Sequence, residues 1–253
     1  MGLDIQKAGV WKRIAAWMLD CILFIILAVG FVALLAEIVG YNKPIEELNA
    51  AYEKYESKYE ISFGITQDEY SAMTQEEIDR YNQAYDAITS DSSAMKAYNL
   101  IINLTLVILT GSLLLTYLLL EFLIPILFGN GQSVGKKVFG IGLIRVDCVK
   151  VSNIQLLVRT LIGKFTVETM VPVYIILMLF FGTTGMLGLI IIAGLLLTQT
   201  IIFLVTRNHL TIHDYFAGTV AVDIQSQKVF NTSDELLEYK KKLHSEEVAR
   251  KDY

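Results

Sequence analysis

The run from Trp11 to Val39, W-K-R-I-A-A-W-M-L-D-C-I-L-F-I-I-L-A-V-G-F-V-A-L-L-A-E-I-V, most limits what this chain can become. A helix needs roughly 20 apolar residues to cross a hydrocarbon core about 30 Å thick, and this run is longer. Two charges disturb it: Arg13 stands at its mouth and Asp20 lies further in. At about 100° per residue a spacing of seven returns to nearly the same helix face, so Arg13, Ala16, Trp17 and Asp20 share one stripe. A carboxylate at that depth costs about 2.5 kcal/mol or more on insertion scales. It therefore has to face protein or water.

Composition agrees. Hydrophobic residues make up 54% of the 253 and charged residues 19%, which places the chain among helical integral membrane proteins. The net charge of −5 gives no basis for a nucleic-acid partner. Cys21 falls in the first span and Cys148 in a polar loop, a spacing that implies neither a disulfide framework nor a metal site. Ala28-Val-Gly30 imitates a signal-peptide cleavage site, but Asp20 interrupts the apolar region and apolar sequence continues to Val39, so the run is read as a retained span. The residues after Gly2 lack the Ser or Thr of a myristoylation signal.

From Gly40 to Tyr98 the chain turns polar and tyrosine-rich, with twelve acidic against five basic residues. Pro44 suits the first turn of a helix, and Tyr52, Tyr55 and Tyr59 fall on one stripe. Thr66-Gln-Asp-Glu69 and Thr74-Gln-Glu-Glu77 both fit the capping box, and behind the second Ile78, Tyr81, Tyr85 and Ile88 keep helical spacing. Two or three helices outside the membrane are expected, packed through these aromatic stripes or offering them to a partner.

A second span runs from about Tyr98 to Phe128, with Asn103 near its start, Glu121 near its end and Pro125 expected to bend the exit. The following Gly131 to Lys137 resembles a phosphate loop only superficially, because the spacing is wrong and Lys137 stands where Ser or Thr would hold magnesium. Ser133 is expected to cap a short basic turn there. Ile141 to Val146 reads as a strand, with Val149 to Ser152 or Thr219 to Ile224 as its partner. A third span follows Ile154 and ends near Phe181, and Lys164 and Glu168 are spaced to pair on one face. After a Gly182–Gly185 turn, a fourth span runs from Met186 to Thr206 and carries Thr198, Gln199 and Thr200. His209 and His213 are four apart with Asp214 adjacent, but no third metal ligand is near in sequence, so His213 and Asp214 are expected to tie the fourth span to the middle loop. The tail from Ser233 to Tyr253 reads as a solvated helix.

Basic residues cluster before the first span, between the second and third, and in the tail, whereas the insert is acidic. The positive-inside rule then puts both termini in the cytoplasm. The expectation is an all-α membrane protein: four transmembrane helices with a helical extracytoplasmic insert and a short cytoplasmic β element. Its parts are residues 1–39, the first span with its basic cytoplasmic start; 40–98, the acidic insert; 99–224, three spans and a cytoplasmic loop; and 225–253, a charged cytoplasmic tail.

Every span contributes polar side chains to the same half of the membrane: Arg13 and Asp20, Glu121, then Arg159, Lys164 and Glu168, then Gln199, with His213 and Asp214 just beyond. These groups either pair to fix helix orientation or line a water-filled cavity that binds a proton, a cation or a small solute. In the second case crowded carboxylates such as Asp20 and Glu121 would share a proton.

Four motifs resemble the RDD family of prokaryotic membrane proteins, named for an arginine and two aspartates. They are Arg13 with Asp20; Gly131-Gln-Ser-Val-Gly135-Lys136-Lys137 with Gly140-Ile-Gly-Leu-Ile-Arg145; Arg159; and His213-Asp214-Tyr-Phe-Ala-Gly218-Thr219. The resemblance covers residues 9–40 and about 99–224, leaving out the insert and the tail. It implies a prokaryotic plasma-membrane protein related to transport of an unidentified ligand, with no catalytic residues and no cofactor. No Ser-Lys, Ser-His or zinc-protease arrangement occurs in the spans, so an enzyme is not expected. The expected partners are the lipid bilayer and either further copies of the chain or another membrane protein. The alternative function is a non-transporting adaptor or regulatory subunit that engages a partner through the insert.

Overall fold

The computed structural model describes residues 5–183 and 185–251. The Gly2 stretch, Thr184 in the Gly182–Gly185 turn and the last two residues of the tail lie outside them. Four helices are long and apolar enough to cross a membrane: α1 (Val10–Ile38), α5 (Ser92–Phe128), α7 (Asn153–Phe180) and α8 (Gly185–Val205). Between α1 and α5 come α2 (Asn42–Tyr59), α3 (Gln67–Ser71) and α4 (Gln75–Ser90). Around α7 and α8 lie α6 (Val134–Val138), β1 (Ile141–Arg145), α9 (Ile212–Ala217), β2 (Thr219–Asp223) and α10 (Ser233–Lys251). The chain divides into two compact units, one of Val29–Ser112 and one of the segments before and after it.

In α1 only Ala16 is buried; Trp17, Ile25 and Ile26 stand in the open, as a lipid-facing helix requires. Helix α5 begins six residues before the expected span, because Asp91 accepts from the amides of Ser93 and Ala94 and so starts the helix early. Both α5 and α7 leave α-helical geometry for part of their length, α5 near its end and α7 in its first half and middle: Leu118–Leu123 and Arg159–Met170 are π-helical. Each π segment lies just ahead of a proline, Pro125 and Pro172. Proline has no N–H for the carbonyl four residues back and its ring crowds that carbonyl. The backbone shifts to i→i+5 bonding instead, seen where the Ile124 amide reaches the Leu119 carbonyl and the Val171 amide reaches that of Thr166. The Glu121 carbonyl, four residues before Pro125, takes a hydrogen bond from Thr160 Oγ1 at 2.9 Å.

In the unit of residues 29–112, both capping boxes form as spaced, and the Thr66 and Thr74 backbones are closed by Glu69 and Glu77. Backbone and hydroxyl donors hold both carboxyls below the usual range. Tyr55 and Ile88 pack with Ala94, while Phe63 sits edge-on between Tyr52 and Tyr81.

In the other unit β1 pairs antiparallel with β2, Leu143 opposite Ala221. Val149–Ser152, the other expected partner, makes no strand: Lys150 forms one bridge to Ile144 and Val149 another to Phe230. A tight turn at Asp147-Cys148, with Cys148 at φ 69°, leaves too short an arm for a ladder. The amino-terminal segment closes on β2 as well, through a bridge from Lys7 to Val222, the Asp223 amide bonded to the Gln6 carbonyl, and Lys12 to Asp223 at 2.7 Å. Helix α10 is not merely solvated at its start. Leu236 is buried against Phe230, and Lys228 lies over the Tyr239 ring.

Candidate functional site

All four apolar helices and the short helix α9 contribute to the lining of one cavity of about 370 Å³, within the unit that holds the β ladder. Its charged wall has four cations, Arg13, Lys136, Arg159 and Lys164, against the three carboxylates Asp20, Glu121 and Asp214. Its apolar wall includes Val10, Ile14, Trp17 and Phe203.

Arg159 is the hub. It is 2% exposed and forks between two carboxylates, Nε to Asp214 at 2.9 Å and Nη1 to Glu121 at 3.1 Å. Lys164 also donates to Glu121. Residues five apart on an α-helix point about 140° away from each other; the i→i+5 repeat of the π segment turns Arg159 and Lys164 toward one carboxylate. The Lys164–Glu168 spacing assumed an α-helix, and here Glu168 holds His213 Nδ1 at 2.8 Å. Gly163 admits this contact, since a Cβ there would come within 2.6 Å of the His213 backbone.

Asp214 is completed by the hydroxyls of Thr211 at 3.0 Å and Thr219 at 2.9 Å. Burial alone would favour its neutral form, but Arg159 and His213 hold its carboxyl well below the usual range. His213 moves down: burial and the Arg159 charge outweigh Asp214 and Glu168. His209, by contrast, precedes α9, stacks on Phe203 and bonds the Phe203 carbonyl, so the two histidines do not share a helix face. Among the described residues no group of His, Cys, Asp and Glu side chains could hold a metal ion. Gln199 accepts the first α9 amide, Ile212 N, at 2.9 Å.

Asp20 does a different job from the one its neighbourhood suggested. It accepts Ser133 Oγ at 2.5 Å and the Gly135 amide at 2.7 Å, so it caps α6 from another helix. Ser133 occupies the cap position but turns its hydroxyl to Asp20 and caps nothing itself. A Cβ on Gly135 would strike the Ala16 carbonyl and the Asp20 carboxylate, so only glycine lets α6 dock here. Asp20 and Glu121 thus have separate donors: Ser133 and the Gly135 amide for the first, Arg159 and Lys164 for the second. Arg13 likewise donates to backbone, Nη1 to the His209 carbonyl at 3.2 Å and Nη2 to the Ala221 carbonyl at 2.7 Å.

Lys136 is the residue the sequence did not single out. Its Nζ is buried and lies 3.6 Å from Glu121, and neither it nor Arg13 Nε has a hydrogen-bond partner in the structure. Burial, with the charges of Arg159 and Lys164, pushes the Lys136 amine down to about 8, against the pull of Glu121 and Asp20. The signal was the Gly-Lys run itself: in a loop between spans, the lysine beside the glycine that docks on Asp20 is carried inward with it.

No curated protein and no solved structure matches the chain. A family model does: that of the RDD family, over residues 7–218, which takes in Arg13, Asp20, Lys136, Arg159 and Asp214 and spans most of the 253 residues. The chain belongs to the RDD family, as a membrane protein with four apolar helices.

Proposed function

We propose that this protein is transport-related and that its solute is anionic, entering the cavity beside Lys136. The supporting observation is the cavity wall, where cations outnumber carboxylates and Lys136 Nζ and Arg13 Nε lack acceptors. A buried donor without a partner costs about 1–3 kcal/mol, and an anion is the ligand that removes that cost. A cation would meet carboxylates already saturated by Arg159, Lys164 and the α6 amide. In this reading the chain lies in a prokaryotic plasma membrane with both termini cytoplasmic, acts without catalysis, and completes its path as an oligomer. The adaptor alternative draws support from the exposed tyrosines Tyr52 and Tyr85 of the insert.

The test is reconstitution into vesicles holding a pH-sensitive dye, under imposed gradients of sodium, potassium, phosphate and hexyl phosphate in turn. Protein-dependent movement driven by an anion, and lost in a folded Lys136→Met variant, supports the reading. A cation-driven signal untouched by that variant returns the site to cations, and silence throughout moves the adaptor ahead.

A further inference from the structure

The cavity wall is of two kinds. Lys136 Nζ and Arg13 Nε are buried in it without a hydrogen-bond partner, Lys136 Nζ lying 3.6 Å from Glu121. Val10, Ile14 and Trp17 belong to the first turns of an apolar helix and are themselves exposed. A free inorganic ion would use the first kind and gain nothing from the second. A wall that is charged within and apolar toward the exposed face of a membrane-spanning helix matches a molecule with the same division.

We infer that the cavity takes a single acidic amphiphile, with a phosphate or carboxylate head among Lys136 and Arg13 and an alkyl chain leaving past Val10, Ile14 and Trp17. This rests on the anionic reading of the cavity and names its ligand class. The head group shares its surroundings with Glu121 of α5, Arg159 and Lys164 of α7 and Asp20 of α1. Arg159 and Lys164 donate to Glu121 and Asp214, and Arg13 to backbone carbonyls. Lys136, 3.6 Å from Glu121, is therefore the lining cation whose charged head donates no hydrogen bond and is open to a ligand.

The chain carries two tryptophans, so Trp11→Phe leaves Trp17 as the reporter at the cavity mouth. The protein is placed in phosphatidylcholine nanodiscs containing a small fraction of one lipid with brominated chains, either phosphatidic acid or phosphatidylcholine. A cation beside an anionic head favours occupancy by about fivefold, and quenching of Trp17 should show that preference for the brominated acid. Lys136→Met should remove the preference, and Lys136→Arg should keep it. Lys137→Met should also keep it, because Lys137 lies over the Phe128 ring and does not line the cavity. The preference should fall as pH rises through about 8, where the Lys136 amine loses its proton. Excess inorganic phosphate should leave it in place.

Equal quenching by both lipids in the Trp11→Phe protein overturns the inference, as does an unchanged preference in Lys136→Met. Loss of the preference on adding inorganic phosphate overturns it in favour of a soluble anion. Preference without any vesicle transport keeps the inference and removes the transport reading. Transport of phosphate without preference does the reverse.

Discussion

Arg159 is where the site is most sensitive to a single atom. Its guanidinium spans two buried carboxylates with two different nitrogens, a geometry that a lysine ammonium cannot reproduce. Arg159→Ala should lower stability by about 3–5 kcal/mol, because Asp214 is left charged, buried and without a cation of its own. Arg159→Lys should recover less than half of that loss. Thermal unfolding in detergent reads both, and a loss under about 1 kcal/mol for the alanine variant would mean that the network is solvated. At this scale the sequence was informative about which residues mattered and silent about whom they touch. Arg13 and Asp20 announce themselves, since charges inside an apolar run need a reason. Apart from the Ser133 hydroxyl on Asp20, their partners are backbone groups of residues over a hundred positions away, among them the Gly135 amide and the Ala221 carbonyl, and a backbone group leaves no mark in a sequence. Lys136 was hidden for a related reason: a basic residue in a loop reads as a topology signal until the loop is known to fold inward.

Helices α5 and α7 repeat one local device. Glu121-Phe-Leu-Ile-Pro125 and Glu168-Thr-Met-Val-Pro172 share the pattern Glu-x-x-(Ile/Val)-Pro, and both sit at π-helical turns. The proline strips the glutamate's carbonyl of its helical donor, and the altered winding aims the glutamate's side chain into the polar cluster. Thr160 supplies the missing donor to Glu121, so Thr160→Val should cost about 1–3 kcal/mol through an unsatisfied carbonyl, although valine has nearly the same shape. Thr160→Ser, which restores the hydroxyl, should recover most of it; equal losses in both variants would assign the effect to packing. The spans, the two capping boxes and the strand β1 were legible because each depends on local periodicity or turn chemistry, whereas the sequence left two partners open for β1. The π segments were not, since helical spacing arguments assume 3.6 residues per turn. The bend expected at Pro125 was the one clue, and its repetition at Pro172 is what gives the clue meaning.

For the molecule as a whole, the distribution of basic residues makes a prediction about sidedness. Ser71→Cys, in α3, should react with a membrane-impermeant maleimide added from outside, whereas Ser226→Cys, after β2, should react only once the membrane is opened. The reverse pattern would invert the topology. The closure of the first helix onto the last strand has a further consequence, which concerns time. Arg13 is made early, but the His209 and Ala221 carbonyls that receive it come 196 and 208 residues later. At about 5–20 residues per second the ribosome needs roughly 10–40 s to supply them. Asp20 waits for the Gly135 amide, 115 residues on. Until those partners are made, Arg13 and Asp20 stand in the first helix without the groups that receive them in the fold, so the first span to be synthesised is completed only near the end of the chain.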